Sequence, residues 1–141
     1  MKWAYVVDTN IIFAALITKT LTRELIFLQD NLFTLEYMIL EFEKYISHLV
    51  KKTKQPKHKI LELFKLICDQ ITIVPNVAFE CHLNEAFELI KDIDENGVHF
   101  VACCIYLRNG ILWSNDKQLK RIKGIIVMNT EEIYELYKES N

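Results

Sequence analysis

Glycine and proline are scarce in this sequence, with three glycines and two prolines among 141 residues. Because both residues interrupt helices and strands, their scarcity predicts that most of the chain lies in regular secondary structure. No stretch is apolar over the roughly 20 residues that a membrane-spanning helix needs. The apolar run that ends at Asp8 is also too short for the core of a secretory signal. We therefore interpret that run as a strand and expect a cytoplasmic protein.

Neither sign of charge dominates, because the chain has 17 Lys and Arg and 19 Asp and Glu, which gives a net charge of −2. A uniformly basic surface is excluded, so any nucleic-acid site must be a local patch. Cysteine is also sparse, and no Cys-x-x-Cys pair occurs among the four: Cys68, Cys81, Cys103 and Cys104. We predict buried, reduced cysteines in place of a zinc site or a disulfide framework.

Apolar residues, by contrast, are plentiful: they make up 51% of the chain, with eight Phe, six Tyr and two Trp. That fraction is typical of a packed globular protein and argues against disorder. No internal repeat, low-complexity tract or linker divides the chain. We expect a single domain over residues 1–141 with room for a sizeable core.

Strand and helix patterns alternate along the chain. Short β-prone runs lie at residues 3–7, 32–35, 71–74, 111–113 and 125–127. Helical spacing of apolar residues occupies residues 21–29, 37–50, 57–69, 78–90, 99–107, 117–121 and 130–138. We interpret residues 9–20 as a connection, and Thr130 as the N-cap of the last helix. The alternation predicts βαβ units in an α/β fold with a mainly parallel sheet of four or five strands.

Acidic side chains follow two of these strands. Asp8 comes directly after the first strand, and Asp116 comes three residues after the fourth. Glu41 lies early on the helix after the second strand, and an acidic connector with Asp94 and Glu95 precedes another helix. Because ligands bind at the carboxyl ends of parallel strands, we expect these acids at one edge, where oxygen ligands suit Mg²⁺ or Mn²⁺. Taken singly, each acid is better explained as a turn former, a helix cap or a solvated residue, and only their joint placement at one edge favours a metal site.

Three motifs resemble those of the PIN domain family. They are Tyr-Val-Val-Asp-Thr-Asn at residues 5–10, Glu41 within Met-Ile-Leu-Glu-Phe, and Trp-Ser-Asn-Asp-Lys at residues 113–117. The order and spacing agree over essentially the whole chain and include the apolar helix that begins near Phe100. The resemblance implies a three-layer α/β/α fold. Many members of the family are Mg²⁺- or Mn²⁺-dependent ribonucleases, including the toxins of toxin–antitoxin pairs.

The resemblance also implies residue roles. Asp8, Glu41 and Asp116 would be the catalytic acids, with Asp8 and Asp116 as metal ligands. Three polar residues would support them: Thr9, Asn10 and Ser114. For Asn10 and Ser114, ordinary turn capping is an equally good interpretation.

The sequence departs from the family pattern at Gly97. PIN domains usually carry an Asp there, three residues before the aromatic position that Phe100 matches. Asp94 or Glu95 could supply the missing ligand from the preceding connector, since glycine gives the backbone freedom. Alternatively, the metal site is weakened and the protein binds RNA without cutting it.

A basic segment occupies residues 51–59. Its five lysines are candidate RNA-binding residues: Lys51, Lys52, Lys54, Lys57 and Lys59. One interpretation is an arm that contacts RNA phosphates, and the other is a solvated loop between helices. The choice depends on whether the segment lies near the acidic edge.

Our leading hypothesis is a ribonuclease that uses Mg²⁺ or Mn²⁺ to activate water. RNA would be its substrate, an antitoxin protein a candidate partner, and a homodimer the expected assembly. The competing hypothesis is a PIN-like RNA-binding or assembly module without turnover. A nucleotide-binding Rossmann protein is a weaker third choice, because no Gly-x-Gly-x-x-Gly occurs.

Overall fold

The computed structural model describes residues 3–140. Its five strands are β1 (Ala4–Val7), β2 (Leu32–Leu35), β3 (Ile71–Val74), β4 (Gly110–Trp113) and β5 (Ile126–Met128). They form one sheet in the order β3-β2-β1-β4-β5, and every neighbouring pair is parallel. The predicted parallel α/β sheet is thereby confirmed, and β1 lies at its centre.

Seven α-helices connect and cover the strands within the described residues. They are α1 (Thr9–Ile17), α2 (Leu21–Leu28), α3 (Tyr37–Thr53), α4 (Lys57–Asp69), α5 (Leu83–Ile90), α6 (Val98–Tyr106) and α7 (Thr130–Ser140). The segment Lys117–Arg121, expected to be a short helix, is a 3-10 helix. Six of the seven α-helices overlap a region where helical periodicity was predicted.

Helix α1 is the one that the sequence pattern missed. Its sequence, Thr-Asn-Ile-Ile-Phe-Ala-Ala-Leu-Ile, is almost wholly apolar, so it shows no alternation between a buried and a solvated face. The helix lies against the sheet and buries Ile11, Ile12 and Leu16. The side chain of Asp8 caps its first turn. The interpretation of residues 9–20 as a connection was therefore wrong for most of its length.

The starts of α5 and α7 also differ from expectation. The helix predicted over residues 78–90 begins only at Leu83, after two 3-10 turns that flank the fully buried Phe79. The cap of α7 is Asn129 and not Thr130. The Asn129 side chain accepts from the Glu132 amide at 2.9 Å, and the Glu132 carboxylate accepts from the Asn129 amide at 3.0 Å. This reciprocal pair is a capping box, which satisfies two backbone donors at once.

The sheet separates two hydrophobic cores, which gives the expected three layers. Tyr5 and Val7 of β1 enter the core formed with α1, α2, α3, α4 and α7. Val6 enters the opposite core, formed with α5 and α6. Successive side chains of a strand point to opposite faces, so β1 is buried on both. The predicted α/β/α architecture is confirmed.

The cysteines behave largely as expected. All four are free thiols; Cys103 and Cys104 are buried in α6, Cys68 is half-buried, and Cys81 is exposed, so the prediction of burial was wrong for Cys81. Burial raises the pKa of the Cys103 thiol to about 12. None of the helices within residues 3–140 combines the length and the apolar character that a bilayer crossing requires.

Candidate metal centre

Parallel pairing brings the ends of β1 and β4 to the same edge of the sheet. Val7 pairs with Trp113, and the Asp8 amide donates to the Trp113 carbonyl at 3.0 Å. Asp8 and Asp116 consequently line one cleft of about 320 Å³. Glu41 and Asp94 line the same cleft. The structure thus places four of the predicted acids around one space at the carboxyl edge of the sheet.

Asp8 is held by two donors. One carboxylate oxygen, Oδ2, accepts from the Ser114 hydroxyl at 2.8 Å, and Oδ1 accepts from the Asn10 amide at 3.4 Å. Burial raises the pKa of Asp8 above its ordinary value, and these two hydrogen bonds lower it. The negative charges of Asp116 and Asp94 raise that pKa further. A cation in the cleft would relieve this repulsion.

Ser114 links Asp8 to Asp116. Its hydroxyl donates to Asp8 and accepts from the Asp116 amide at 3.1 Å. The Asp116 carboxylate in turn accepts from the Gln118 amide at 2.9 Å and caps the following 3-10 turn. Ser114 is buried, whereas Asp116 is exposed to the cleft. One hydroxyl therefore contacts the Asp8 carboxylate and the backbone of Asp116.

Glu41 is oriented by Thr9. The Thr9 hydroxyl donates to Glu41 Oε1 at 2.8 Å across 32 positions of the chain. Thr9 is buried, so its side chain has little freedom to leave this contact. The bond leaves the second carboxylate oxygen of Glu41 available to the cleft. Asn10, by contrast, contacts Asp8 through its backbone amide and not through its side chain.

Asp94 is the acid of the connector that lines the cleft. Asp94 accepts from the Asn96 amide at 3.0 Å and begins the 3-10 turn Glu95–Gly97. Glu95 is exposed and does not line the cleft, although Asn96 does. Of the two connector acids proposed as ligands, the structure brings only Asp94 to Asp8 and Asp116.

Gly97 lies at the inner wall of the cleft. Its φ of −89° is accessible to any residue, so the backbone does not demand glycine. A Cβ at this position would lie 2.8 Å from Ile90 Cδ1 and 3.5 Å from Leu119 Cδ2. The space that an Asp would need is partly filled by the flexible end of Ile90.

The donor chemistry of the cleft fits a hard divalent cation. Its acids are three Asp and one Glu, whose oxygens are the ligands that Mg²⁺ and Mn²⁺ prefer. Across residues 3–140, however, no three acidic, His or Cys side chains already stand close enough to hold a metal ion together. The acidic side chains instead accept hydrogen bonds from backbone amides and hydroxyl groups. An ion would have to draw half-buried Asp94 and exposed Asp116 toward Asp8.

The five lysines of residues 51–59 lie away from this cleft. Glu41 lies near the start of α3, whereas Lys51 and Lys52 lie in its last turn. At 1.5 Å per residue, Lys51 is about 15 Å along the helix axis from Glu41. All five lysines are exposed. The segment therefore does not form an arm that contacts RNA directly at the acidic edge.

Two features of the site were not found from the sequence. Asn115 Oδ1 accepts from the Thr130 amide at 3.0 Å, which ties the loop before Asp116 to the start of α7. Tyr37 lines the cleft and is 44% exposed, and its ring stacks on His99 with centroids 6.2 Å apart. Exposed aromatic residues at a helix start carry no sequence signal that separates them from core residues, so only the fold could reveal this one.

Comparisons with known proteins agree with this architecture. A family model described as PIN domain matches residues 6–138. Among solved structures, VapBC2 from Rickettsia felis, crystallised with a DNA fragment from its promoter, is similar with a TM-score of 0.69. The sequences are 18% identical, and the match covers 89% of this chain and 98% of the other. None of the curated protein sequences matches the chain.

Proposed function

Because the chain belongs to the PIN domain family, we propose that it is an Mg²⁺- or Mn²⁺-dependent endoribonuclease whose active site is the acidic cleft. The observation that carries the proposal is the meeting of Asp8, Glu41, Asp94 and Asp116 around one cleft from four separate parts of the chain. Carboxylates that repel one another are costly to keep together without a cation. Their position at the cleft, outside both hydrophobic cores, is one that packing does not demand.

The roles follow from how each acid is held. Asp8, Asp116 and Asp94 would bind the ion, and Ser114 would keep the first two in position. A bound divalent cation would lower the pKa of a water molecule and neutralise charge on the phosphate. Glu41, whose Oε1 is held by Thr9, would orient the attacking water through its other oxygen.

Single-stranded RNA suits the cleft better than a duplex. Among the described residues, no Lys, Arg or His lines the cleft, so protein cations do not bind the phosphates there. Tyr37 instead has an exposed ring, which stacks on the ring of His99. An unpaired base can stack on such a ring, whereas a base within a duplex is already stacked on its neighbours.

The second candidate function is an RNA-binding or assembly module without turnover. It is favoured by Gly97, which removes one carboxylate, and by the lack of a ready three-ligand cluster in the part of the chain that the structure describes. The two candidates differ in their need for the ion. An enzyme would lose its activity when the metal ion is removed, whereas a binding module would keep its affinity for RNA.

Partners and location are part of the same proposal. The likeness to VapBC2 supports an antitoxin protein as a partner, and we propose a cytoplasmic homodimer over a single domain. Size-exclusion chromatography with light scattering would report the assembly. These points are independent of the chemistry, so a monomer would leave the proposed active site unaffected.

Cleavage of a labelled, unstructured RNA tests the function. The proposal predicts cleavage with Mn²⁺, none with EDTA, and none for Asp8→Asn with Mn²⁺. Asp92→Asn is the matched control, because Asp92 is an exposed acid of the same connector that does not line the cleft. RNA binding without cleavage under any divalent ion would favour the module instead.

A further inference from the structure

A second cleft, of about 380 Å³, lies at the far end of α1 and α3 from the acids. We call it the basic cleft, because its charged lining within residues 3–140 consists of Lys19, Arg23 and Lys59, without Asp or Glu. It is formed by the end of α1, the connection to α2 and its start, the connection from α3 to α4, and the first part of α4. Three cations around one concave space attract an anion.

Arg23 is held in position at this cleft by a hydrogen bond to the backbone. Its Nε donates to the Ala15 carbonyl at 2.7 Å, which fixes the plane of the guanidinium group. The side chain is half-buried, and burial lowers its pKa. Three ion pairs between described residues lie elsewhere: Lys91–Glu88, Lys120–Glu132 and Lys138–Glu135. A partly desolvated guanidinium that lacks an anion gains the most when one binds.

The connection between α3 and α4 has a defined shape. Lys54 ends α3 in the left-handed conformation at φ 56°, and Pro56 precedes α4. The Thr53 hydroxyl donates to the Leu49 carbonyl at 2.7 Å and accepts from the Gln55 amide at 3.2 Å. Gln55 therefore lines the basic cleft from a structured turn, and Lys59 lines it from the first turn of α4.

One stripe of α3 runs from the acidic cleft toward the end of the helix nearer the basic cleft. Tyr37 and Glu41 line the acidic cleft, and residues 45, 48 and 52 continue the same stripe at three- or four-residue spacing. The Tyr45 ring stacks on Phe13 with centroids 4.7 Å apart, and the His48 ring lies against it at the same distance. The stripe ends at Lys52, toward the basic cleft. The stripe therefore carries aromatic rings between the acid Glu41 and the cation Lys52, and aromatic rings are side chains on which single-stranded nucleic acid stacks.

We propose that the basic cleft binds the phosphates of an RNA strand that leaves the acidic cleft along α3. The inference rests on the proposed function, because it assumes that RNA enters the acidic cleft. The nine residues of α1 separate the two clefts, about 14 Å along the helix. The acidic cleft carries the chemistry and no cation for the backbone among its described residues, while the basic cleft supplies the electrostatic part of binding.

Fluorescence anisotropy in EDTA tests whether the basic cleft supplies the electrostatic part of binding. The two ligands are an unstructured RNA of about 15 nucleotides and a trinucleotide. Lys59→Gln and Arg23→Gln should weaken binding of the long RNA several-fold. They should also reduce the slope of log affinity against log salt by about 0.7 for each phosphate that the protein no longer neutralises. Both variants should lower the affinity for the trinucleotide less than that for the long RNA, because the short strand offers fewer phosphates for the protein to neutralise.

The control is Lys65→Gln, which removes the same charge from an exposed position of α4 outside the cleft. Lys59 is itself exposed, so its substitution leaves the packing intact even if Arg23→Gln lowers the melting temperature. Binding of the long RNA by Lys59→Gln that matches Lys65→Gln in affinity and salt slope would overturn the inference.

Two further outcomes separate this inference from the proposed function. If the wild-type protein cleaves RNA with Mn²⁺ but the basic-cleft variants bind as the control does, only the basic cleft is wrongly assigned. If the wild-type protein neither binds nor cleaves RNA, both proposals fail. If Lys59→Gln weakens binding of poly-glutamate and not of RNA, the cleft serves an acidic polypeptide and the RNA assignment is overturned.

Discussion

The hydroxyl of Ser114 donates to the carboxylate of Asp8 at 2.8 Å, although the two residues lie 106 positions apart in the chain. The contact exists because β1 and β4 are parallel neighbours in register, with Val7 opposite Trp113. Ser114 also accepts from the Asp116 amide, so one buried hydroxyl sets the separation of two acids. It is the structural link between the fold and the proposed chemistry.

Ser114→Ala should weaken Mn²⁺ binding most at mildly acidic pH. The hydrogen bond from Ser114 lowers the pKa of Asp8, so removing it raises that pKa and leaves less carboxylate ionised at a given pH. The pH midpoint of Mn²⁺ binding, measured by calorimetry, should shift upward, and the protein should be destabilised by about 1 kcal/mol. Ser47→Ala, at an exposed position of α3, is the control. An unchanged midpoint would show that Ser114 does not position the ligand.

Asp8→Asn should leave the melting temperature of the metal-free protein unchanged or raised at neutral pH. Burial raises the pKa of Asp8 in the folded state, so the protonated form favours folding and the ionised form opposes it. That stabilisation is full below 3.8, the ordinary value, and disappears as pH rises through the raised pKa. Asparagine removes the charge and still caps α1.

The difference in melting temperature between Asp8→Asn and the wild type should therefore shrink as the pH falls toward 3.8. Thermal melts in EDTA over this range measure it. An Asp8→Asn protein that melts below the wild type at neutral pH, with a deficit that disappears on acidification, would show that the ionised Asp8 carboxylate stabilises the fold instead of opposing it.

Gly97→Asp should tighten Mn²⁺ binding and raise cleavage, because it adds an oxygen ligand at the wall of the cleft. The added Cβ meets Ile90 Cδ1 at 2.8 Å, so overpacking should cost about 1–3 kcal/mol of stability. Gly97→Ala carries the same steric cost without the carboxylate. Combining Gly97→Asp with Ile90→Val, which removes the offending methyl group, should recover stability and retain the gain in affinity.

Asp94→Asn distinguishes two explanations of the natural glycine. If Asp94→Asn abolishes activity and Gly97→Asp adds nothing, Asp94 already occupies the vacant role. If neither change alters Mn²⁺ binding, the connector is not part of the site, and the module without turnover becomes the better explanation.

Tyr37→Ala should weaken binding of single-stranded RNA by about tenfold, and Tyr37→Phe should not, because stacking needs the ring and not the hydroxyl. Fluorescence anisotropy with RNA and with an otherwise identical strand carrying abasic positions measures the effect. The weakening should disappear on the abasic strand. Equal weakening on both strands would mean that Tyr37 acts through packing against His99.

The shared position of the acids could be predicted, because parallel strands end at one edge and Asp8 and Asp116 closely follow strands. The path of α1 could not, because its nearly continuous apolar sequence carries no period. The contact from Thr9 to Glu41 depends on that helix, so it was inaccessible for the same reason. Both features arise from tertiary packing and not from local sequence.

The position of the lysines relative to the acidic cleft could not be predicted from the sequence either. Residues 51–59 could be recognised as basic, but their position depends on the length and direction of α3, which continues to Thr53 instead of ending near residue 50. Likewise, Glu95 and Asp94 are adjacent in the chain, and only the 3-10 turn decides that Asp94 faces the cleft. Side-chain direction in a short connector has no periodic signature.

The most direct test of the central claim is the anomalous difference map of a crystal soaked in Mn²⁺. We expect a peak in the acidic cleft, at about 2.0–2.3 Å from a carboxylate oxygen of Asp8, with Asp116 and Asp94 drawn toward the ion. A map from Asp8→Asn crystals should lack that peak. Mn²⁺ that binds elsewhere at saturation, with the cleft empty in the wild-type protein, would contradict the proposed metal site.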